Sequence, residues 1–307
     1  MGAPSPDHRE RDASIAINSY TTVVGRSTVP EERFRAYWRD VHGPLCSRVP
    51  GLGWYVQHHF ARQRDAHVWP LPAGVEPIDG YRLDGAVEIG WSGADAQQRF
   101  SDAASILFSD EQNVFDETVA YPLPQGSTTL LDRSVDPTPN GDDPYDRVHV
   151  HLTPREGAEA ELADRTRTLL AALGADHPTD VVKVRLHAPD PHDNSSPNPP
   201  APDVAHTVAP ERVRLVIAEV AFAGPLARRR VQASPGFEEL QAELGRLAGH
   251  LAAFPVSGVH TFVRDGRLTT AGLRGSRVAK LVDDLAAVNQ VSEDVQHLMR
   301  TGELRQR

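Results

Sequence analysis

The chain runs twice through one order of elements, and that repetition constrains its fold more than any other feature of the sequence. SIAINSYTTVVG (14–25) is dominated by β-branched residues and predicts a strand. Thr28 and Pro30 supply helix-start chemistry, and Glu31 with Glu32 suits the positive end of the helix dipole. Phe34, Tyr37, Trp38, Val41 and Leu45 recur at three- and four-residue spacing, which predicts an amphipathic helix over 30–46. WYVQHHF (54–60) and LDGAVEIGW (83–91) read as strands, ADAQQRFSDAASILF (94–108) as a helix and GSTTLLDR (126–133) as a fourth strand. After SVDPTPNGDDPY (134–145), whose three prolines mark a linker, the order returns. It comprises strand 146–154, helix 157–174 ended by Gly174, strand 180–188, strand 213–222, helix 236–254 and strand 257–266. A helical tail covers about 276–301. AVEI (86–89) and IAEV (217–220) fall at the same place in the two copies, each with a lone glutamate between apolar neighbours.

Split βαββαβ units give four-stranded antiparallel sheets with helices on one face. The expected fold class is therefore α+β, with two such units (13–133 and 146–307) packed through their open sheet faces within one chain and a C-terminal helical extension. PDPHDNSSPNPPAPD (189–203) lacks the apolar residues to order itself and reads as a mobile loop.

Composition narrows the function. Forty-two acidic against 32 basic residues give a net charge of −10, which argues against nucleic acid as a partner. The single cysteine, Cys46, excludes an internal disulfide framework and a multi-cysteine zinc site. The polar N-terminus lacks a signal-like apolar run, and no segment approaches the ~20 apolar residues that span a bilayer. A cytoplasmic protein is expected.

FRAYWRDVHGPLCSRVPGLGWYVQHHF (34–60) resembles the EthD-like group of the dimeric α+β barrel superfamily, which has a ferredoxin-like fold. The shared features are an aromatic-rich first helix, a histidine followed by a small residue and Pro-Leu, and a Pro-Gly-Leu turn into a strand. SDEQNVFDETVAYPL (109–123) is similar to that group's acidic stretch before its last strand. The resemblance implies a cofactor-free cyclase, dehydratase or decarboxylase acting on a polyketide-like or other carbonyl or phenolic metabolite. Its alternatives are a cofactor-free monooxygenase and a non-catalytic metabolite-binding accessory protein. Because the copies are fused, a monomeric pseudo-dimer can replace the homodimer, although a homodimer stays open.

By the same resemblance His42 is the proton carrier; a capping histidine before Gly43-Pro44 is the structural alternative. Strand alternation separates Trp54, Val56 and His58 from Tyr55, Gln57 and His59, so only one of the adjacent histidines enters any one pocket. The Tyr55, Gln57 and His59 face is polar enough to line a site. Glu88, mid-strand between Val87 and Ile89, is costly to bury unpaired and is a candidate second acid or base. The catalytic set is thus His42, Glu88, His59 and Tyr55, with Tyr37, Trp38, Gln57 and Trp91 binding substrate. Glu219 faces Lys183, Arg185 or His187 and reads as a structural ion pair. His149 and His151 form an HxH pair without an obvious third ligand, so an interface or solvent-facing strand is favoured and no metal is expected. GLRGS (272–276) matches no phosphate-binding fingerprint and reads as a turn. Cys46 reads as inert packing.

Overall fold

The computed structural model describes residues 5–62, 68–195 and 201–305. The first half contains β1 (Ile17–Gly25), α1 (Glu31–Tyr37), a π-helical turn (Trp38–His42) and α2 (Gly43–Ser47). It continues with β2 (Trp54–Phe60), β3 (Gly85–Trp91), α3 (Ala94–Ala103), α4 (Ser105–Glu111), β4 (Phe115–Leu123) and β5 (Thr128–Asp132). The second half holds β6 (Asp146–Pro154), α5 (Glu159–Asp176), β7 (Val181–His187), β8 (Val216–Phe222), α6 (Pro225–Gln232), α7 (Pro235–Leu247) and β9 (Ala248–Arg264). Then come α8 (Thr270–Arg274), α9 (Ser276–Asp284) and α10 (Glu293–Thr301).

The strands lie in the order β4-β1-β3-β2-β9-β6-β8-β7-β5. Each half therefore shows the antiparallel 4-1-3-2 order of a ferredoxin-like sheet. β9 is long enough to serve both halves: Ala248–Pro255 pairs with β6, and Val256–Val263 pairs with β2. The first half repeats the device with a break. β4 pairs with β1, the chain turns at Gly126, and β5 crosses to pair with β7 of the second half. The two crossings close an α+β barrel, with helices outside and the inner faces of both sheets forming its interior.

Three boundaries differ from the expectation for physical reasons. The strand at 126–133 exists as β5 but joins the other half, and the first half's own fourth strand is β4. The helix expected over 236–254 stops at Leu247, because 248–254 is drawn into the sheet between β6 and the short strand Glu76–Pro77. Long-range pairing on both flanks overrides the helical propensity of Leu and Ala. Gly174 does not end its helix, which runs to Asp176; the glycine instead lets Leu131 pack where an added Cβ would lie 3.0 Å from Leu131 Cδ2.

The segment 134–145 is not free of the barrel, since Asn140–Asp142 pairs with β9. Of the loop 189–203, residues 196–200 lie outside the described residues. Its first part is tied down by Asp190 N–H to Pro122 O at 2.9 Å and His192 N–H to Val213 O at 2.8 Å. Among the described residues, no helix is long and apolar enough to cross a membrane.

The two halves differ in how their helices meet their sheet. In the second half Leu162, Leu170, Leu173, Val184, Phe237 and Leu240 fill the space between α5, α7 and the sheet. In the first half Phe34, Trp38 and Phe115 fill one part of the corresponding space, and the rest is hollow.

Candidate active site

The hollow is a cavity of about 520 Å³ between the outer face of the first sheet and helices α3 and α4. Val87, Ile89, Trp91 and Tyr55 form part of its floor, Phe100, Leu107 and Phe108 line the helical side, and His42 closes one end. Pro191, His192, Asp193 and His206 rim it from the second half. The walls are largely apolar with a few titratable groups, as small-molecule sites are.

His42 is delivered by the π-helical turn, in which the Gly43 N–H bonds Trp38 O five residues back. Such turns re-aim side chains and recur at functional sites. His42 is 7 % exposed and edge-on to Phe115, with ring centroids 5.5 Å apart. Its Nδ1 lies 2.9 Å from Asp110 Oδ2, and the other carboxylate oxygen accepts from the Tyr37 hydroxyl at 2.6 Å. Burial alone would raise the Asp110 pKa, but the bonds from His42 and Tyr37 hold it below the usual carboxylate value. An ionised Asp110 fixes the His42 ring through Nδ1, so proton exchange with a ligand falls to Nε2.

The next residue, Glu111, also lines the cavity. Its Oε2 accepts from Thr118 Oγ1 at 3.1 Å. Burial pushes its pKa up, against the opposing pull of His42 and the Thr118 bond. His206 Nδ1 lies 3.0 Å from Thr118 O and its Nε2 accepts from Ala201 N–H at 3.1 Å, which sets the tautomer with hydrogen on Nδ1.

The sequence-predicted residues divide among three places. His42, Tyr55 and Trp91 line the cavity. Tyr37 supports it through Asp110. Trp38, Gln57 and His59 lie behind it: Gln57 Nε2 donates to Tyr55 Oη at 2.8 Å and Trp38 O at 3.1 Å, and His59 Nε2 lies 3.0 Å from Gln57 Oε1. His59 is stacked on Trp38 at 4.2 Å, and burial followed by His260 depresses its pKa well below the usual value, leaving a neutral packing residue. Cys46 touches the cavity, but burial raises its thiol to about 12.

Glu88 does not belong to this site. It is in register with Tyr20 and Val56 on the opposite face of the sheet, inside the barrel. There its Oε2 accepts from Arg185 Nε at 2.9 Å. Burial opposes ionisation, yet Arg185, followed by His187, holds the carboxyl well below the usual range. The cation that β2 could not offer comes from β7, across the barrel. Glu219 is likewise bound to Arg147 and lies 3.4 Å from Lys183. Asp110 and Glu111 are the site residues that reasoning from periodicity missed. Their signal was the acidic stretch after the second helix, adjacent acids on a helix whose register could not be fixed from sequence.

Residues 26–116 match the EthD domain family. The chain carries an EthD domain there. The matched span includes His42, Asp110, Glu111 and the part of the cavity floor formed by Tyr55, Val87, Ile89 and Trp91, and it ends within β4. Outside the EthD domain the fold likeness continues. A candidate monooxygenase of Fusobacterium nucleatum superposes with a TM-score of 0.51 at 6 % identity, over 83 % of this chain and 97 % of its own. An anthrone oxidase-like protein gives a TM-score of 0.51 at 11 % identity, over 83 % of this chain and 95 % of its own. Both likenesses concern the fold alone. No curated protein matches the chain in sequence.

Proposed function

We propose that the protein is a small-molecule enzyme that performs acid–base chemistry on an apolar carbonyl or phenolic metabolite held in the EthD-domain cavity. The carrying observation is the His42–Asp110 pair at the end of an apolar hollow. His42 Nε2 takes the proton of an acidified C–H or O–H, and Asp110 stabilises the imidazolium that results. Glu111, whose pKa burial raises, donates from its protonated form to the substrate oxygen that gains charge. Trp91, Phe100 and Phe108 supply the apolar contacts that hold a ring.

Enolisation of this kind serves ring closure, dehydration or decarboxylation, and these remain the leading reactions. The names of the two fold neighbours, a candidate monooxygenase and an anthrone oxidase-like protein, favour a second reading, a cofactor-free monooxygenase, in which the same deprotonated substrate reacts with oxygen. Purified protein is incubated with a panel of aromatic and alicyclic β-dicarbonyl and phenolic compounds, with products and oxygen uptake followed together. Product formation at constant oxygen supports the lyase or cyclase reading, and stoichiometric oxygen uptake supports the oxygenase. Tight binding with no turnover of any compound counts against both and favours a metabolite-binding accessory protein.

A further inference from the structure

The barrel interior holds a second cluster, on the opposite face of the sheet from the cavity. His58 of β2, Glu88 of β3, His149 of β6, His187 of β7 and Glu219 of β8 converge there, each at most 2 % exposed. Both ring nitrogens of His58, Nε2 of His149 and His187, Glu88 Oε1 and Glu219 Oε2 are buried without a hydrogen-bond partner. Leaving even one buried polar atom unsatisfied is unfavourable, and native structures rarely gather several in one place.

The free atoms are free in a patterned way. Each carboxylate commits one oxygen to cations: Glu219 Oε1 faces Arg147 and Lys183 and leaves Oε2 open, and Glu88 Oε2 faces Arg185 while its Oε1 lies 3.8 Å from both His58 Nε2 and His187 Nε2. Two histidines commit one nitrogen and leave the other open. His187 Nδ1 lies 2.8 Å from Ser127 Oγ, and His149 Nδ1 lies 2.7 Å from Tyr20 Oη. Tyr20 Oη is also 3.0 Å from His151 Nε2, and His151 Nδ1 is 3.0 Å from Tyr81 Oη. One proton arrangement satisfies this chain, with His149 Nδ1–H donating to Tyr20, Tyr20 to His151 and His151 to Tyr81. It leaves the His149 Nε2 lone pair open toward the cluster. An imidazole oriented through its far nitrogen, beside a carboxylate oriented by its outer oxygen, is how proteins prepare metal ligands.

We propose that the barrel interior binds one divalent first-row transition-metal ion through His58, His149 and Glu219. Their ligand atoms lie within 4.8 Å of one another. Ligands about 2.1 Å from a shared ion are up to about 4.2 Å apart, so small side-chain rotations complete the contact. Two imidazoles and a carboxylate suit Zn²⁺, Co²⁺ or Fe²⁺ rather than the all-oxygen preference of Ca²⁺ or Mg²⁺. A cavity of about 340 Å³ under residues 134–145 reaches His58 and provides access. The ion joins the halves: His58 belongs to the first, and His149 with Glu219 to the second. The HxH pair thus contributes one ligand, while its other member, His151, ends the supporting chain of hydrogen bonds.

The experiment uses tag-free, full-length protein stripped with a chelator and dialysed. Co²⁺ is titrated while its ligand-field spectrum is recorded, and Zn²⁺ stoichiometry is measured by calorimetry and elemental analysis. The expected result is one ion per chain, a nitrogen- and oxygen-ligated Co²⁺ spectrum and a Tm that rises with free Zn²⁺. His58→Gln and His149→Gln, checked for native circular dichroism, weaken Zn²⁺ binding at least 100-fold, whereas His177→Gln leaves it unchanged. Lys183→Met, which removes a competitor beside Glu219, tightens it. Wild-type protein that takes up no ion at micromolar Zn²⁺ or Co²⁺, or uptake unaltered by both histidine variants, overturns the proposal whether or not any variant folds.

Discussion

Asp110 takes a hydrogen bond from His42 on one carboxylate oxygen, at 2.9 Å, and from the Tyr37 hydroxyl on the other, at 2.6 Å. The acid is thereby fixed from two sides, and the orientation of the imidazole follows from it. If His42 carries the proton, His42→Ala lowers turnover by ~10²–10⁴-fold, while Tm changes little. Asp110→Asn leaves the ring in place but frees its tautomer, and a comparable fall in kcat is expected with KM nearly constant. A capping role for His42 predicts the reverse pattern, with Tm reduced and the rate per folded molecule preserved. Thermal melts and steady-state kinetics on the same preparations separate the two.

Asp110 also makes stability depend on pH. Its carboxyl titrates below the ordinary 3.8 in the folded chain, so its contribution is complete above that value and is lost as pH falls through the folded one. Wild type is therefore expected to melt above Asp110→Asn at neutral pH. The gap should close as pH falls through 3.8 and on through the lower folded value. A gap that stays constant over this range means that the pair contributes nothing through ionisation.

Glu111 has the opposite shift, upward from 4.5, caused by burial. A rate that requires its protonated form falls as pH rises through the raised value. Glu111→Gln keeps a hydrogen-bond donor but cannot transfer a proton. It should lower kcat ~10²-fold or more and remove that limb of the pH–rate profile. Retention of the limb in the variant assigns it to another group.

Inside the barrel the same kind of substitution reads out differently. Glu88→Gln removes the charge of the partner 2.9 Å from Arg185 and leaves Asp12, 3.0 Å away, as its remaining carboxylate, so the loss stays below the ~3–5 kcal/mol of a fully broken buried pair. Chemical denaturation is expected to register that loss, with both limbs of the pH–rate profile still present. A vanished limb would return Glu88 to the chemistry.

Much of this arrangement is legible in the sequence because it is carried by local signals. Alternation separates Tyr55 from Val56 and places His58 and His59 on opposite faces, as the structure has them. The repeated order yields two 4-1-3-2 sheets, and the aromatic spacing of 34–45 yields the helix that carries His42. What the sequence hides is the pairing of distant strands. Nothing near Glu88 announces Arg185, which lies 97 residues away in sequence. Nothing in Leu251, Ala252 and Ala253 announces a strand until β6 is beside them. The HxH spacing likewise gives no hint that His149 meets Glu219 on the neighbouring strand and His58 from the first half.

The solid leucine core behind α5 and α7 has a consequence for the hollow opposite it. A void beneath a four-stranded sheet is a burden that a free-standing half must bear alone. Here the strands that cross between halves tether the hollow copy to a filled one, which acts as its keel. Substitutions that widen, narrow or re-polarise the cavity floor then draw on the stability of the whole barrel. The filled half thus lets the lining of the hollow half vary with less risk of unfolding.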